Sequence, residues 1–203
     1  MPARPLPQPS LAHRPGLFQS FFMGGFECSC QRLRSGRRLD VIRATRHDEL
    51  ALPDYRRLSA SGIRAARDGA RWHLIERSPG VYDFSSWLPM LRAAREAGVQ
   101  VIWDLCHYGW PDDLDPFGKE FTPRFAAFVR ACAEVLTAEG NAAPFVCLIN
   151  EVSFLAWGGG DVGYLNPFLR GHGTDLKVRL VRASLAGMDA LWSVLPQARV
   201  VHT

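Results

Sequence analysis

The sequence predicts an α/β protein: about five parallel strands alternating with helices, forming an incomplete (β/α)8 TIM barrel. Three observations predict it. Short apolar runs alternate with longer amphipathic segments in the order β-α-β-α-β-α-β-α-β, the pattern of parallel βαβ units. Polar residues collect at one end of those runs, as they do at the C-terminal face of a barrel. The competing architecture, a doubly wound sheet, binds its ligand at a glycine-rich first turn. Here the first run leads into CQRLRSG, which has no GxGxxG.

The elements follow in order. Residues 1–17 (MPARPLPQPSLAHRPGL) are proline-rich, lack the apolar stretch of a signal peptide, and read as an extended leader. Phe18 to Cys30 is apolar and reads as a buried strand. Residues 31–47 are Arg-rich and read as a loop. Residues 48–61 form a helix in two parts, broken at Pro53, and Gly62 ends it. The second strand lies between Gly62 and Ile75, centred on Ala65 to Ala70. Ser85 to Ala97 is helical, with Pro89 in its first turn and a stop at Gly98. Val99 to Leu105 is a β-branched strand. Thr122 to Glu139 places Phe125, Phe128, Val129, Cys132 and Leu136 on one helical face, and Gly140 ends it. Phe145 to Ile149 is the fourth strand. Thr174 to Leu195 is a long amphipathic helix, and Arg199 to His202 is the fifth strand.

Composition excludes several classes. Of 203 residues, 47% are apolar, 22% charged and 11% aromatic, which is globular rather than disordered. The net charge of +4 comes without a basic block, so no nucleic-acid partner is expected. No apolar stretch reaches the ~18 residues that would cross a membrane. Five cysteines are an odd count, four of them in or beside apolar runs, so free buried thiols and a cytoplasmic location are the reading. No CxxC pair and no HxH pair exists, so no metal and no cofactor is expected. A metal hydrolase built on His73, His107 and His202 is the weaker rival.

Chemistry sits where the strands end. The second strand ends at Arg67-Asp68, the third at Asp104-Leu105-Cys106-His107-Tyr108, the fourth at Asn150-Glu151 and the fifth at His202. In a barrel these ends converge on one mouth. Glu151 follows the apolar run FVCLI and an Asn, so its carboxyl is expected to be partly desolvated, which suits a general acid. Asn150 offers an amide beside it. Glu27 stands in an apolar setting within reach of the mouth, without an assigned role. His47 and His73 read as polar filler.

Four motifs in order resemble the retaining β-glycosidases of glycoside hydrolase family 1, the β-glucosidase family. They are Phe22-Met23-Gly24 through Gln31, Arg67 with Trp72, Leu105-Cys106-His107-Tyr108-Gly109-Trp110-Pro111, and Asn150-Glu151. The resemblance covers residues 18–203 and implies a (β/α)8 hydrolase of β-glycosides, with a carbohydrate as its partner. It implies Glu151 as acid/base, Asn150 on the sugar 2-hydroxyl, Gln31 and His107 on other hydroxyls, and Arg67 orienting the nucleophile. Tyr108, Trp110 and Trp157 would stack on sugar faces, although Trp72 and Trp110 also read as packing residues and Arg67 also reads as a simple ion-pair partner of Asp68 or Asp104. Val152 follows Glu151 where the family has Pro, and Tyr-Gly-Trp-Pro follows His107 where it has Trp-Asp-Leu-Pro.

The resemblance also implies what is missing. The family's nucleophile is a Glu at the end of strand seven, and a barrel usually takes about 250 residues. This chain reads as the first five-eighths. Its first and fifth strands would be open edges, inviting self-association, and the chain alone is expected to have little or no glycosidase activity. The alternative is a non-catalytic half-barrel that binds sugar weakly.

Overall fold

The computed structural model describes residues 17–203. The expected leader lies outside them but for Leu17, which is exposed. The elements run β1 (Met23–Gly25), α1 (Val41–Ala44), α2 (His47–Ala60), β2 (Ala65–Gly69), α3 (Trp72–Ile75), β3 (Glu76–Ser78), β4 (Val81–Tyr82), α4 (Leu88–Glu96), β5 (Gln100–Asp104), α5 (Phe121–Ala138), β6 (Phe145–Cys147), α6 (Val152–Ala156), α7 (Gly173–Val194) and β7 (Arg199–Val200). A π-helical turn, Trp157–Asp161, follows α6. Five strands form one parallel sheet in the order β1-β2-β5-β6-β7, and β3 and β4 make a separate hairpin. This is the expected partial α/β barrel.

Strand alternation divides the core. One face of the sheet turns Ala66, Val101, Trp103 and Val146 toward the helices. There Trp87 meets Trp103 edge-on at 5.4 Å, and Trp72 stacks on Phe128 at 5.1 Å. The other face, the barrel interior, carries Ile102, Phe145 and Cys147, with Phe18 and Val201 packed against them. The apolar stripe of α5 is buried as its spacing predicts. Gly98 and Gly140 end their helices at φ +65° and +80°, a conformation that costs glycine little. All five cysteines are free and buried. No described helix is long and apolar enough to cross a membrane.

Several expectations need correction. The run Phe18 to Cys30 is not a buried strand. Only three of its residues pair, and Phe21 and Phe22 are 94% and 73% exposed, because β1 is an edge of the sheet. Helix α2 is continuous through Pro53. Pro53 and Glu49 both lie on its exposed face, so the carbonyl that loses its donor meets water. The Arg-rich loop contains α1, capped by the Asp40 side chain on the Arg43 N–H, and it buries Ile42. After β2 the chain forms α3 and a hairpin turned at Ser78-Pro79-Gly80, a turn signal the sequence carries openly. Helices α5 and α7 start one residue before their predicted Thr positions, within the usual fraying.

Candidate active site

Arg67 and Asp104 stand on the interior face of adjacent strands. Gly69 pairs with Asp104, and Asp104 with Cys147, so the ends of β2, β5 and β6 lie side by side. Arg67 Nη2 reaches Asp104 Oδ2 at 2.6 Å and also donates to Asn150 Oδ1. The Asn150 oxygen being taken, its amide nitrogen donates to His107 Nε2 at 2.9 Å. The imidazole proton then belongs on Nδ1, 3.2 Å from Asp104 Oδ2. Arg67, Asn150, His107 and Asp104 thus close a ring of polar contacts. Asp104 is fully buried, Asn150 is 2% exposed and His107 8%. Burial alone would raise the Asp104 carboxyl, but the His107 bond and the Arg67 charge pull it further down, and it stays ionised.

Glu151 sits beside this ring at the start of α6. Its backbone is left-handed (φ +43°, ψ +60°), and so is that of Tyr108 (φ +63°). The Tyr108 hydroxyl donates to Glu151 Oε2 at 2.6 Å. Burial first, and the Glu151 carboxylate second, hold the Tyr108 phenol well above the ordinary tyrosine range. The expected desolvation of Glu151 is corrected: the residue is exposed. The sheet is open beyond β7, so no further strand among the described residues walls that side.

The other predicted residues divide. Gln31 is half-buried, and among the described residues no hydrogen bond joins its side chain to the ring. His202 is exposed, and Thr203 takes the expected place at the mouth. Its hydroxyl accepts the Glu151 N–H at 3.1 Å and donates to Asn150 Oδ1 at 3.2 Å. The fifth strand stops at Val200, which turns Thr203 rather than His202 toward Asn150. Trp110 is 3% exposed and meets Phe121 edge-on, so it packs rather than stacks on a ligand. Trp157 is exposed and continues an aromatic row, Tyr108 to Phe154 to Trp157, at spacings of 5.8 and 5.6 Å.

Three participants were missed or left without a role, and a fourth, Asp104, is the one of the two expected ion-pair partners that Arg67 takes. Glu27 does reach the mouth: Oε1 accepts from the Ser29 N–H and lies 3.5 Å from His107 Nε2. Cys28 Sγ lies 3.0 Å from His107 Nδ1. Arg38 ties the first loop to the third by bonding the Cys30 and Trp110 carbonyls. Asp104 joins both histidine and arginine. Asp104 carried a sequence signal as the polar end of an apolar strand, and Glu27 as a carboxylate in an apolar setting; Cys28 and Arg38 carried none. Cys28, Asp104 and His107 are also the one group of three converging potential metal ligands among the described residues; the rival trio of His73, His107 and His202 does not converge. A cavity of about 520 Å³ opens at the opposite end of the sheet, lined by Arg64, Gln100 and Pro144, and holds none of these residues.

Asp68, next to Arg67, faces the other way. It accepts from Tyr55, from His47 Nε2 at 2.9 Å and from the Gly69 N–H at 2.7 Å. His47 Nδ1 reaches Asp54 at 2.8 Å. This cluster fastens α2 to β2 and takes no part in the mouth.

No protein-family model and no curated protein matches the sequence. Solved structures do. The family 1 β-glucosidase of Thermotoga maritima aligns with a TM-score of 0.68 at 17% identity, over 77% of this chain and 36% of that one. The same enzyme bound to a methoxycarbonyl-substituted glucoimidazole gives 0.65 at 18%, over 76% and 37%. The AHE enzyme of Alicyclobacillus herbarius gives 0.68 at 18%, over 76% and 36%. The chain spans just over a third of the length of the solved structures it matches, and over that third it has the fold of the (β/α)8 glycosidases.

Proposed function

We propose that this chain carries the acid/base and sugar-holding part of a retaining β-glycosidase site. The observation that carries the reading is the closed ring of Arg67, Asn150, His107 and Asp104 set beside the Tyr108–Glu151 pair at the C-terminal ends of three parallel strands. Glu151 is the proton donor to the leaving oxygen, on the solvent side where a leaving group departs. Asn150 and His107 meet sugar hydroxyls, Gln31 approaches from the first loop, and Arg67 holds the floor ionised. Such contacts strengthen as the sugar flattens toward its transition state.

A retaining mechanism needs a second carboxylate about 5–5.5 Å from the first. In the family that the sequence resembles it ends strand seven, and this chain contributes five barrel strands. The chain by itself therefore binds a sugar-shaped inhibitor without turning over a substrate. Calorimetric titration with glucoimidazole tests this. Saturable binding that is lost in Asn150→Ala is expected, with no release of phenol from an aryl β-glucoside. Absence of binding would overturn the sugar reading; hydrolysis at an enzymatic rate that disappears in Glu151→Gln would overturn the inactivity.

The exposure of Glu151 favours a second reading, a half-barrel that binds sugar and catalyses nothing. Supplying the three C-terminal βα units of a family 1 enzyme in trans separates the two, because only the first reading expects turnover to return.

A further inference from the structure

We propose that Cys28, Asp104 and His107 form a binding site for a thiophilic divalent cation, zinc or an ion like it, on the interior face beneath the mouth. Three donor atoms converge there from the segment after β1 and from the end of β5, and all are buried. Their separations are 3.0 Å from Cys28 Sγ to His107 Nδ1, 3.2 Å from His107 Nδ1 to Asp104 Oδ2, and 3.6 Å from Cys28 Sγ to Asp104 Oδ2. A tetrahedral zinc with bonds of about 2.3 Å to sulfur and about 2.0 Å to nitrogen and oxygen spaces its ligands about 3.3–3.6 Å apart. Two separations already fit, and the sulfur must withdraw by about half an ångström to satisfy the third.

The surroundings of the three donors bear on the site. The donor oxygen is Asp104 Oδ2, which the cation would share with Arg67 Nη2 at 2.6 Å; the other oxygen, Oδ1, is buried without a hydrogen-bond partner. Gly69 also leaves the sulfur its seat: a Cβ there would lie 2.5 Å from Cys28 Sγ. The donor set of one thiolate, one imidazole and one carboxylate suits zinc rather than calcium or magnesium. Charge balances as well. The thiol releases its proton to solvent as the sulfur–metal bond forms, so Asp104, the Cys28 thiolate and nearby Glu27 offset Arg67 and the dication.

The inference goes beyond the sugar reading and does not need it. Metal on Nδ1 moves the imidazole proton to Nε2, which has Glu27 Oε1 3.5 Å away as an acceptor; the Asn150 amide nitrogen loses its acceptor there while the Asn150 oxygen stays on Arg67 and Thr203.

The test uses the full chain, freed of metal with a chelator, and Co²⁺ as the probe. One Co²⁺ per chain should bind with tetrahedral visible bands and a thiolate-to-cobalt charge-transfer band, and Zn²⁺ should displace it. Cys28→Ser should abolish the charge-transfer band and weaken binding by about tenfold or more. Cys30→Ser and Cys147→Ser should leave both unchanged. In wild type, Zn²⁺ should shift the His107 Nδ1 resonance, a readout that does not depend on any variant folding. No saturable uptake, a charge-transfer band that survives in folded Cys28→Ser, or an unmoved Nδ1 would each overturn the proposal.

Discussion

Tyr108 and Glu151 hold each other in backbone conformations that side-chain-bearing residues rarely adopt, at a cost of about 1–3 kcal/mol each. The hydrogen bond between them contributes to the Tyr108 ionisation. Burial raises it most and the Glu151 carboxylate adds to that. Glu151→Gln should therefore bring Tyr108 only part of the way back toward the ordinary tyrosine range, read by ultraviolet titration of the phenolate. Asp104 is the residue whose loss the fold feels most. Asp104→Asn leaves the Arg67 charge without its buried partner and should destabilise by about 3 kcal/mol in a urea titration. Its folded-state pKa is depressed, so its stabilisation is complete above the unfolded value of about 3.9 and disappears as pH falls through the lower folded one. The variant should lack that acid limb. Among single residues, Arg67, His107, Asn150 and Glu151 were legible because each interrupts or ends an apolar run. Cys28 was not, because a thiol in an apolar run looks like core until its neighbour on another strand is known.

At the scale of elements, α2 is fastened to β2 by His47, Tyr55 and Asp68. Burial lowers the His47 pKa, but the Asp68 and Asp54 carboxylates raise it by more, and the net shift is upward. Such a group stabilises fully below its unfolded value of about 6.5, and the contribution fades as pH rises through the higher folded one. His47→Asn should flatten this part of the stability profile between neutral and mildly alkaline pH, measured by thermal unfolding across buffers. Gly69 is the tightest point of β2. Gly69→Ala brings a methyl group against Cys28 Sγ and should cost about 1–3 kcal/mol in chemical denaturation. Helices α4, α5 and α7 and strands β2, β5 and β6 were legible from period and glycine stops. The α2 helix was misread at Pro53 because a proline signal says nothing about which face it lands on. The hairpin of β3 and β4 was missed because its strands are too short to show a period.

At the scale of the molecule, the sheet has two edges, β1 and β7, and β1 carries exposed Phe21 and Phe22 beside it. Unpaired edges with apolar flanks template further pairing. The chain should self-associate with rising concentration, and Phe22→Lys should shift sedimentation toward monomer without lowering the unfolding temperature. The five strands of one parallel sheet among the described residues were legible from the strand count. The exposure of Glu151 was not, since exposure depends on which neighbours stand around a strand end.

Consecutive residues Arg67 and Asp68 have a further consequence. A single-step slip of β2 against its neighbours would swing the guanidinium into the greasy layer under α2 and the carboxylate beside Asp104, leaving both without counter-ions. Misaligned pairings are thereby penalised twice over, and the strand has one arrangement it can keep.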